Sequence, residues 1–405
     1  MRIIAINSYN HASTGNIARG ILDYAKSKGH EVHFAYPNAK SMKPFFQEGD
    51  ILIGNRLTRN IHILLAYISG LHGFFSILDT CILIRKFKKI KPDCVHIHNL
   101  HGDYINIPLL YWFLKKHKIP TVITMHDCWN ITGHCFHFSY EHCDKWKTGC
   151  YKCAKLHTYP KSIIDTSRLN YWLKKKIFTY LDDVVYVTPS KWLCGIAKQS
   201  FLKNKRIEVI NNGIDLHLFK RIESNVKSEL KIEKAEKIIL FVSFSWTQKK
   251  GVDVINHLRR MLSDKYHFIV IGNIDNPEYF NLPGITYINR TSSKQKLIEL
   301  YSAADVFVNP TREENYPTVN MEALACGCPV VTFEAGGSPE CITRETGMTV
   351  PIDDVSSLRD AVISISLNSD KMREACFMQA KRFDQMSKYK DYLKLIDQCV
   401  NRELV

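Results

Sequence analysis

Short apolar, strand-like runs alternate with helical patterns along the chain in two successive series. The first series is RIIAIN, EVHFAY, DCVHIHN, PTVITMH, VVYVTPS and IEVINN, and the second is KIILFVSF, HFIVIG, ITYINR, ADVFVNP and PVVTF. Strands separated by helices indicate parallel βαβ units, because parallel strands need a long crossover connection. The sequence therefore predicts an α/β protein with two doubly wound, Rossmann-like parallel sheets that bind ligands beyond the carboxyl ends of their strands.

The domain boundaries follow from a polar stretch between the two series. Residues 1–213 are expected to form the first domain, with a cysteine-rich insertion at 128–160, and residues 238–385 the second. The polar and charged stretch 214–237 is expected to be a linker. Residues 386–405 carry apolar residues at helical spacing, so we expect a helix that packs back towards the first domain. The two domains are expected to face each other across a cleft.

The net positive charge of the chain indicates what kind of partner it binds. The 405 residues include 55 basic and 40 acidic side chains, a formal net charge of +15, and 45% of residues are hydrophobic. Such an excess favours anionic partners: nucleic acid, anionic lipid or phosphorylated small molecules. The sequence has no basic stripe interleaved with aromatic residues, so we expect no nucleic acid partner. Thirteen scattered cysteines and an N-terminus unlike a signal peptide predict a cytoplasmic protein.

An apolar run at 61–84 bears on membrane association. It contains 24 residues with one formal charge, Asp79, and the basic run RKFKKIK follows it. The length is sufficient to span a bilayer, but a central aspartate costs roughly 2.5 to 3.5 kcal/mol on insertion scales. Gly70 and Gly73 also interrupt the run, which favours two helices packed on the first domain. We expect part of this surface to contact the inner face of the membrane peripherally.

The most informative stretch for chemistry is TREENYPTVNMEALACGCPVV at 311–331. Glu314 follows the strand ADVFVNP, and Glu322 lies in the helix predicted after Pro317. Carboxylates accept hydrogen bonds from the paired hydroxyls of sugars, and the amides at a helix N-terminus favour phosphate. Taken alone, the spacing also fits a carboxylate that stabilises the helix dipole and a solvated glutamate. The residues predicted to bind a donor here are Asn315, Tyr316, Pro317, Thr318, Val319 and Glu322.

This stretch resembles the retaining GT-B glycosyltransferases of the group 1, family 4 type. Their signature is E-x7-E followed by A-x-G-x-P-V-V, which is matched by Glu314, Glu322, Ala325, Gly327, Pro329, Val330 and Val331. Further matches occur in the family's order: GHEV at 29–32, VHIHNLHG at 95–102, TMHD at 124–127, NNGID at 211–215 and GMTVP at 347–351. The resemblance therefore covers nearly the whole chain.

The resemblance implies a role for each matching residue. Glu314 is expected to face the hydroxyls of the donor sugar and to support the charge that develops at its anomeric carbon, and Glu322 to bind the nucleotide ribose. His126 is expected to reach the sugar ring; a purely structural histidine after a buried strand is the alternative. Lys250 is expected to neutralise the leaving diphosphate. Gly15 is expected to let backbone approach phosphate or acceptor at a helix start.

Two departures from the family pattern concern phosphate binding. Val242 is followed by Ser243 and Phe244 where the family often has Gly-Arg, so the arginine of the usual Arg/Lys clamp is missing and Lys249 is its candidate replacement. Thr14 stands where the family commonly has a first glycine. Because the sequence has no D-x-D stretch suited to a divalent ion, we expect no cofactor for catalysis. The resemblance implies a hexosyl transfer with retention, in which attack occurs on the face that the diphosphate leaves.

A cysteine cluster follows His126 directly. Cys135, Cys143, Cys150 and Cys153 lie within nineteen residues, and the final pair has C-x-x-C spacing, so a structural zinc ion is predicted. His134, His137 and His142 are alternative ligands, and reduced thiols or a redox-labile pair are alternative interpretations. The run HDCW…GHC…C…GC..C also resembles an insertion in polysaccharide-assembly glycosyltransferases, where it is expected to shape the acceptor side.

The leading hypothesis is a retaining glycosyltransferase of bacterial cell-surface polysaccharide synthesis. It is expected to move a sugar from a nucleotide-diphosphate sugar to a glycan or a lipid-linked glycan. The alternative is a nucleotide-sugar isomerase or epimerase on the same fold, which converts the donor without an acceptor. A non-enzymatic nucleic acid binder is disfavoured by the lack of an aromatic-interleaved basic stripe.

Overall fold

Each of the two series of strand-like runs forms its own parallel β-sheet. The computed structural model describes residues 1–402, which separate into two units: unit 1 contains Met1–Asn211 and the chain from Lys388 onward, and unit 2 contains Asn212–Ser387. Every strand pairing in both sheets is parallel. The prediction of two doubly wound α/β sheets is confirmed.

The sheet of unit 1 has seven strands in the order β3-β2-β1-β4-β5-β6-β7. The direction of winding reverses between β1 and β4, so the carboxyl ends of these two strands form the switch point at which such sheets bind ligands. The strands are β1 Arg2–Ile6, β2 Glu31–Pro37, β3 Ile51–Ile53, β4 Cys94–Ile97, β5 Thr121–Thr124, β6 Val184–Thr188 and β7 Arg206–Val209. The helices are α1 Ala12–Ser27, α2 Arg56–Ser69, α3 Ile77–Ile90, α4 Ile107–Lys116, α5 Ser167–Phe178 and α6 Lys191–Gln199.

The sheet of unit 2 has six strands in the order β10-β9-β8-β11-β12-β13, with its switch point between β8 and β11. The strands are β8 Lys237–Ser245, β9 Tyr266–Asn273, β10 Ile285–Ile288, β11 Val306–Asn309, β12 Val330–Phe333 and β13 Gly347–Val350. The helices are α7 Val226–Glu229, α8 Val252–Met261, α9 Lys294–Ala303, α10 Thr318–Ala325 and α11 Val355–Ala380.

The stretch 214–237, expected to be a linker, packs into unit 2. Ile214, Phe219, Val226 and Ile232 are buried in the core of that unit. The Ile214 amide donates to the Phe383 carbonyl at 2.8 Å. These contacts make the stretch part of unit 2 rather than a free connection.

The last helix, α12 Gln385–Val400, joins unit 1 from Lys388 onward. Its residues Tyr392 and Ile396 are buried in the same core cluster as β1 and α1. Gly20 of α1 makes room for it, because a Cβ at Gly20 would lie 2.2 Å from the Tyr389 hydroxyl. The last part of the predicted helix, 403–405, lies outside the described residues.

The apolar run 61–84 is divided between α2 and α3, with a turn at Gly70 to Ser76. Gly70 ends α2 with φ +72°, a left-handed conformation that favours glycine. Throughout the described range 1–402, no helix has both the length and the apolar character needed to cross a membrane.

Candidate active site

An ion pair connects two loops at the carboxyl edge of the unit 2 sheet. Lys250 ends the 3₁₀ turn Gln248–Lys250 between β8 and α8, and Glu314 lies in the loop 310–317 between β11 and α10. Lys250 Nζ donates to Glu314 Oε2 at 2.6 Å, and the Asn315 amide donates to Glu314 Oε1 at 3.1 Å. Both charged side chains are partly exposed. Because β8 and β11 are neighbours, the fold brings the predicted carboxylate and the predicted lysine together.

A second, parallel ion pair lies beside the first. Lys249 Nζ is 3.2 Å from Glu313 Oε2, and the Glu313 side chain is almost fully buried. The Arg312 amide donates to the Lys249 carbonyl at 2.8 Å, which ties the two loops together through their backbones. The structure therefore places two adjacent ammonium groups at the switch point, with Lys249 positioned as a second cation beside Lys250.

Arg312 fixes the geometry of these loops, although no sequence motif marks it as a functional residue. Its guanidinium donates to Asp253 of α8 at 2.7 Å and to Asp353 at 2.6 Å. Hydrogen bonds to these two carboxylates raise the pKa of Arg312. Arg312 therefore joins three segments around the Glu314 loop, and its position directly before Glu313 and Glu314 was the available sequence signal.

Two glycines allow the backbone to approach the Glu314 loop closely. Gly336 has φ +57°, and a Cβ there would lie 1.7 Å from the Glu314 carbonyl oxygen. Gly251 has φ +75°, and a Cβ there would lie 2.2 Å from the Pro310 carbonyl oxygen. Any side chain at either position would displace the loop that carries the carboxylate.

Glu322 is the fifth residue of α10 and is partly buried. The Tyr301 hydroxyl of α9 donates to Glu322 Oε2 at 3.3 Å, and the Thr318 side chain also forms a hydrogen bond with this carboxyl group. Burial raises the pKa of Glu322 to about 7, and the hydrogen bonds only partly offset that effect. The carboxyl group therefore changes its charge near neutral pH.

The start of α10 contains the other predicted donor-binding residues. Pro317 stands at the N-cap position of the helix, and Thr318 and Val319 are its first two residues. Asn315 and Tyr316 are buried, and the Tyr316 phenol forms a hydrogen bond with Cys341. The structure thus assigns the side chain of Tyr316 to the core of unit 2, so this residue can meet a ligand only through its backbone.

Histidines form a compact stack at the carboxyl edge of the unit 1 sheet. His126 follows β5 and His98 follows β4, with His98 Nδ1 and His126 Nε2 2.9 Å apart. His96 lies behind them, its ring centroid 4.1 Å from that of His98. Burial lowers the pKa of His126 to about 4 and that of His96 to about 3. His126 is therefore neutral at physiological pH and can exchange hydrogen bonds with a hydroxyl without adding charge.

An Asp–His pair lies next to this stack. His101 Nε2 is 2.9 Å from Asp127 Oδ2, and the Trp129 amide donates to Asp127 Oδ1 at 2.8 Å. Burial alone would raise the pKa of Asp127, but the nearby His101 and these hydrogen bonds lower it to about 2. In the sequence His101 is only one residue of the stretch VHIHNLHG, so its pairing with Asp127 becomes visible only in the structure.

Gly15 lies in the first turn of α1, where the loop after β1 folds back on the helix. A Cβ at Gly15 would lie 2.8 Å from the Asn10 carbonyl carbon and 3.0 Å from the Tyr9 carbonyl oxygen. Thr14, the departure from the family pattern, accepts a hydrogen bond from Asn7 Nδ2 at 3.2 Å. The missing side chain at Gly15 therefore serves the packing of this loop.

The four clustered cysteines line one cavity of about 270 Å³. Cys135 and Cys153 form a thiol–thiol hydrogen bond, and Cys150 Sγ accepts from the Gly133 amide at 3.2 Å. All four, Cys143 included, are free thiols. Within the described part of the chain, however, no group of three or more His, Cys, Asp or Glu residues is arranged to hold a metal ion.

The chain has two parallel-sheet units, and the second carries an E-x7-E carboxylate pair and two lysines at its switch point. This combination defines the class of GT-B glycosyltransferases. The family model of Glycosyltransferase Family 4 matches residues 15–218, and that of Glycosyl transferases group 1 matches residues 236–368. The chain belongs to this glycosyltransferase family.

Relatives agree with this assignment, and a solved structure shares the fold. A putative colanic acid biosynthesis glycosyl transferase, WcaC of Escherichia coli, is 26% identical over 71% of this chain and 69% of its own length. An N,N'-diacetylbacillosaminyl-diphospho-undecaprenol alpha-1,3-N-acetylgalactosaminyltransferase of Campylobacter jejuni is 28% identical over 56% of this chain and 63% of its own. The structure of HepE from Anabaena in complex with UDP has the same fold, with a TM-score of 0.70 at 12% identity, over 98% of this chain and 100% of that one.

Proposed function

We propose that this chain is a retaining hexosyltransferase that moves a sugar from a nucleotide-diphosphate sugar to a glycan or lipid-linked glycan during bacterial cell-surface polysaccharide synthesis. The observation that carries the proposal is the pair Lys250–Glu314 at the unit 2 switch point, next to the start of α10 and Glu322. The names of the relatives support the pathway and the acceptor, since one belongs to colanic acid synthesis and another acts on a diphospho-undecaprenol glycan.

Lys250 and Lys249 are the proposed partners of the donor diphosphate. Each ammonium is paired with a carboxylate in the structure, so a bound diphosphate exchanges one anionic partner for another. The amides at the start of α10 add further donors, and the helix dipole favours negative charge there. Glu322 is the proposed acceptor of hydrogen bonds from the ribose hydroxyls.

Glu314 has an electrostatic role in this proposal. When the diphosphate draws Lys250 away, the Glu314 carboxylate is left to accept hydrogen bonds from the sugar hydroxyls. Its negative charge then stabilises the positive charge that develops at the anomeric carbon. Neutral His126 is the proposed hydrogen-bonding partner of the sugar ring, which it can contact without repelling that charge.

The proposed reaction retains the configuration of the sugar. The bond between the anomeric carbon and the diphosphate oxygen breaks, and the acceptor oxygen forms its bond on the same face. The acceptor proton passes to the departing diphosphate oxygen. Lys250, Lys249 and the α10 amides meet the charge of the leaving group, so the scheme needs no divalent ion.

We also propose a cytoplasmic location, peripheral at the inner face of the membrane, because lipid-linked acceptors are held in a bilayer.

The shared cavity of Cys135, Cys143, Cys150 and Cys153 supports a structural zinc ion as a further proposal. Zinc would contribute stability to the loop after His126 and no chemistry to the transfer.

The test is a ligand-stabilisation screen followed by a transfer assay. Thermal unfolding is recorded with UDP, GDP and their sugars, for wild type beside Glu322→Ala. A ligand specific to the native state at a hundredfold excess over its Kd adds about 2.7 kcal/mol to the free energy of unfolding. The stabilising donor is then incubated with glycolipid acceptors, and the anomeric configuration of the product is determined by NMR. An inverted product contradicts retention, and conversion of the donor without an acceptor favours an isomerase or epimerase.

A further inference from the structure

Helix α2 exposes its apolar side chains and buries a histidine. In a helix that packs on a soluble domain, the apolar side chains normally face the core. In α2 only His62 and Ala66 are buried. Its large apolar residues are exposed, with Leu57 at 68% and Leu64 at 56% of full exposure. The other exposed members are Ile61, Ile63, Leu65, Tyr67 and Ile68.

Polar contacts hold the inner side of α2 on unit 1. His62 Nδ1 is 2.8 Å from Ser76 Oγ, and His62 Nε2 is 3.7 Å from Asp103 Oδ1. Asn55 caps the helix by accepting from the amides of Leu57 and Thr58. These contacts hold the helix on unit 1 and do not involve its exposed Leu and Ile side chains. Packing within unit 1 therefore does not explain why the outer side of the helix is apolar.

The exposed apolar surface continues from α2 to two neighbouring segments. The first turn of α3 exposes Ile77 and Leu78, the latter at 76%. This turn lies beside the first turn of α2. The side chains of Thr58 in α2 and Asp79 in α3 both come within 2.9 Å of the point where a Cβ at Gly54 would lie. At the other end of α2, the Ile163 amide donates to the Tyr67 carbonyl at 2.8 Å. We call this surface the α2 face; it comprises the α2 residues above with Ile77, Leu78, Ile82, Ile163 and Ile164.

The chain segment that forms most of the α2 face carries charges of mainly one sign, whereas Asp165, next to Ile164 at the other end of the face, is exposed and acidic. From residue 55 to residue 91 the chain carries seven basic side chains and one acidic one. The acidic residue, Asp79, is buried, so this segment presents only positive charge to the outside. The basic residues are Arg56, Arg59, Arg85, Lys86, Lys88, Lys89 and Lys91. An aliphatic surface whose main segment carries mostly basic side chains matches a bilayer of anionic lipid, which supplies an acyl interior and negative headgroups.

We infer that the α2 face inserts shallowly into the headgroup region of an anionic phospholipid bilayer. This inference rests on the proposed function for its purpose, because insertion of the α2 face holds the enzyme at the bilayer in which a lipid-linked acceptor is embedded. The sequence predicts that part of the run 61–84 contacts the membrane, and the structure narrows that surface to the exposed apolar residues of the α2 face. The aliphatic side chains bind the bilayer by hydrophobic transfer, and the basic residues make binding depend on anionic lipid and on salt.

The experiment is vesicle flotation of the full chain without substrate. Wild type is compared with the triple variant Ile61→Ser, Leu64→Ser and Ile68→Ser on vesicles of phosphatidylcholine alone or mixed with phosphatidylglycerol. We expect wild type to float with the mixed vesicles, and the triple variant to bind them at least about tenfold less well, because three buried aliphatic side chains are lost. Leu367→Ser is the matched control, since Leu367 of α11 is similarly exposed, at 65%, but lies in unit 2.

A charge variant tests the second part of the inference. Lys86→Glu with Lys89→Glu should weaken binding to the anionic vesicles and leave the weak binding to neutral ones unchanged. The inference is overturned if wild type does not float, if the triple variant floats equally well, or if the triple substitution converts a dimer into a monomer in sedimentation, because the α2 face would then bind a second copy of the chain.

The two proposals can fail separately. Stabilisation by a nucleotide reports on unit 2 and involves no lipid. Nucleotide binding without flotation removes the α2 face proposal alone, and flotation without any nucleotide binding removes the proposed function alone. The triple variant should keep the transfer activity of wild type on a water-soluble acceptor, since its three residues lie on the outer side of α2.

Discussion

Lys250 Nζ and Glu314 Oε2 lie 2.6 Å apart, although 64 residues separate them along the chain. The pairing places a cation and a carboxylate at the same edge of the unit 2 sheet. In the proposed function, a donor diphosphate competes with Glu314 for Lys250, so phosphate binding and the freeing of the carboxylate are coupled. The first two predictions test this coupling.

Lys250→Ala should weaken binding of a nucleoside diphosphate about tenfold or more, because a charged hydrogen bond contributes roughly 1.5 to 3 kcal/mol. Binding of the corresponding nucleoside should change little, since it has no diphosphate. Isothermal calorimetry with both ligands measures the difference. Lys249→Ala is the comparison: an equal loss supports Lys249 as the replacement for the family's arginine, and no loss contradicts that assignment.

Glu314→Gln should lower kcat about 100-fold, which is typical of losing one group that stabilises transition-state charge. Nucleoside diphosphate binding should stay the same or become tighter, because Lys250 no longer has a competing carboxylate. Steady-state kinetics and calorimetry on the same preparation measure the two effects. Glu334→Gln is the control, since Glu334 is an exposed glutamate of the same unit. Full turnover in Glu314→Gln would falsify the catalytic role.

The affinity for the donor nucleotide should increase as the pH rises through 7. Burial raises the pKa of Glu322 to about 7, so below that pH the carboxyl group is largely protonated and accepts ribose hydroxyls less well. From about pH 6 to about pH 8, the ionised fraction and the affinity should grow about tenfold. Calorimetric titrations across this range check the slope. Glu322→Gln should bind more weakly with a flat profile, and a sloping profile in the variant would assign the titration to another group.

The stability of unit 1 should fall as the pH drops below the usual histidine pKa of 6.5. Burial lowers the pKa of His62, His126 and His134 to about 4 and that of His96 to about 3. In the unfolded chain these groups take up protons below pH 6.5, whereas the folded chain does not. Their contribution is therefore complete above pH 6.5 and is lost progressively towards pH 4, by up to about 1.4 kcal/mol per histidine and pH unit.

Urea unfolding at a series of pH values measures the free energy of unfolding at each pH. The slope of this free energy against pH gives the number of protons that are taken up on unfolding. His62→Asn should reduce the pH dependence by about one proton, while its stability at neutral pH reports the loss of the contact with Ser76. An unchanged pH dependence in that variant would mean that His62 titrates normally in the folded chain.

Purified protein should contain about one zinc ion per chain if the cysteine cluster is a structural site. Elemental analysis measures the content, and Cys150→Ser with Cys153→Ser should abolish it and lower the melting temperature. Cys194→Ser is the matched control, since Cys194 belongs to α6 and not to the cluster. Zinc-free protein that folds without chelator, and is not stabilised by added zinc, would leave reduced thiols as the interpretation.

Local patterns along the chain were sufficient for most of the two sheets. Apolar runs in the sequence predict eleven of the strands, because the inner strands of parallel sheets are apolar on both faces. They do not predict β3 Ile51–Ile53 or β13 Gly347–Val350, which are edge strands of three and four residues. Such short segments become strands through pairing with β2 and β12, and that pairing is not encoded in their own composition.

The fold class and the residue types of the candidate site could be predicted from the sequence, because the periodicity of apolar residues and the E-x7-E stretch are local. Which groups meet depends on tertiary contacts: the pairing of Lys250 with Glu314, the hydrogen bonds of Arg312 to Asp253 and Asp353, and the contact of His101 with Asp127. Tertiary contacts also decide that α2 turns His62 inward and its leucines outward. These relationships join residues far apart in sequence, and the free energy that fixes them comes from packing and burial, which no single segment contains.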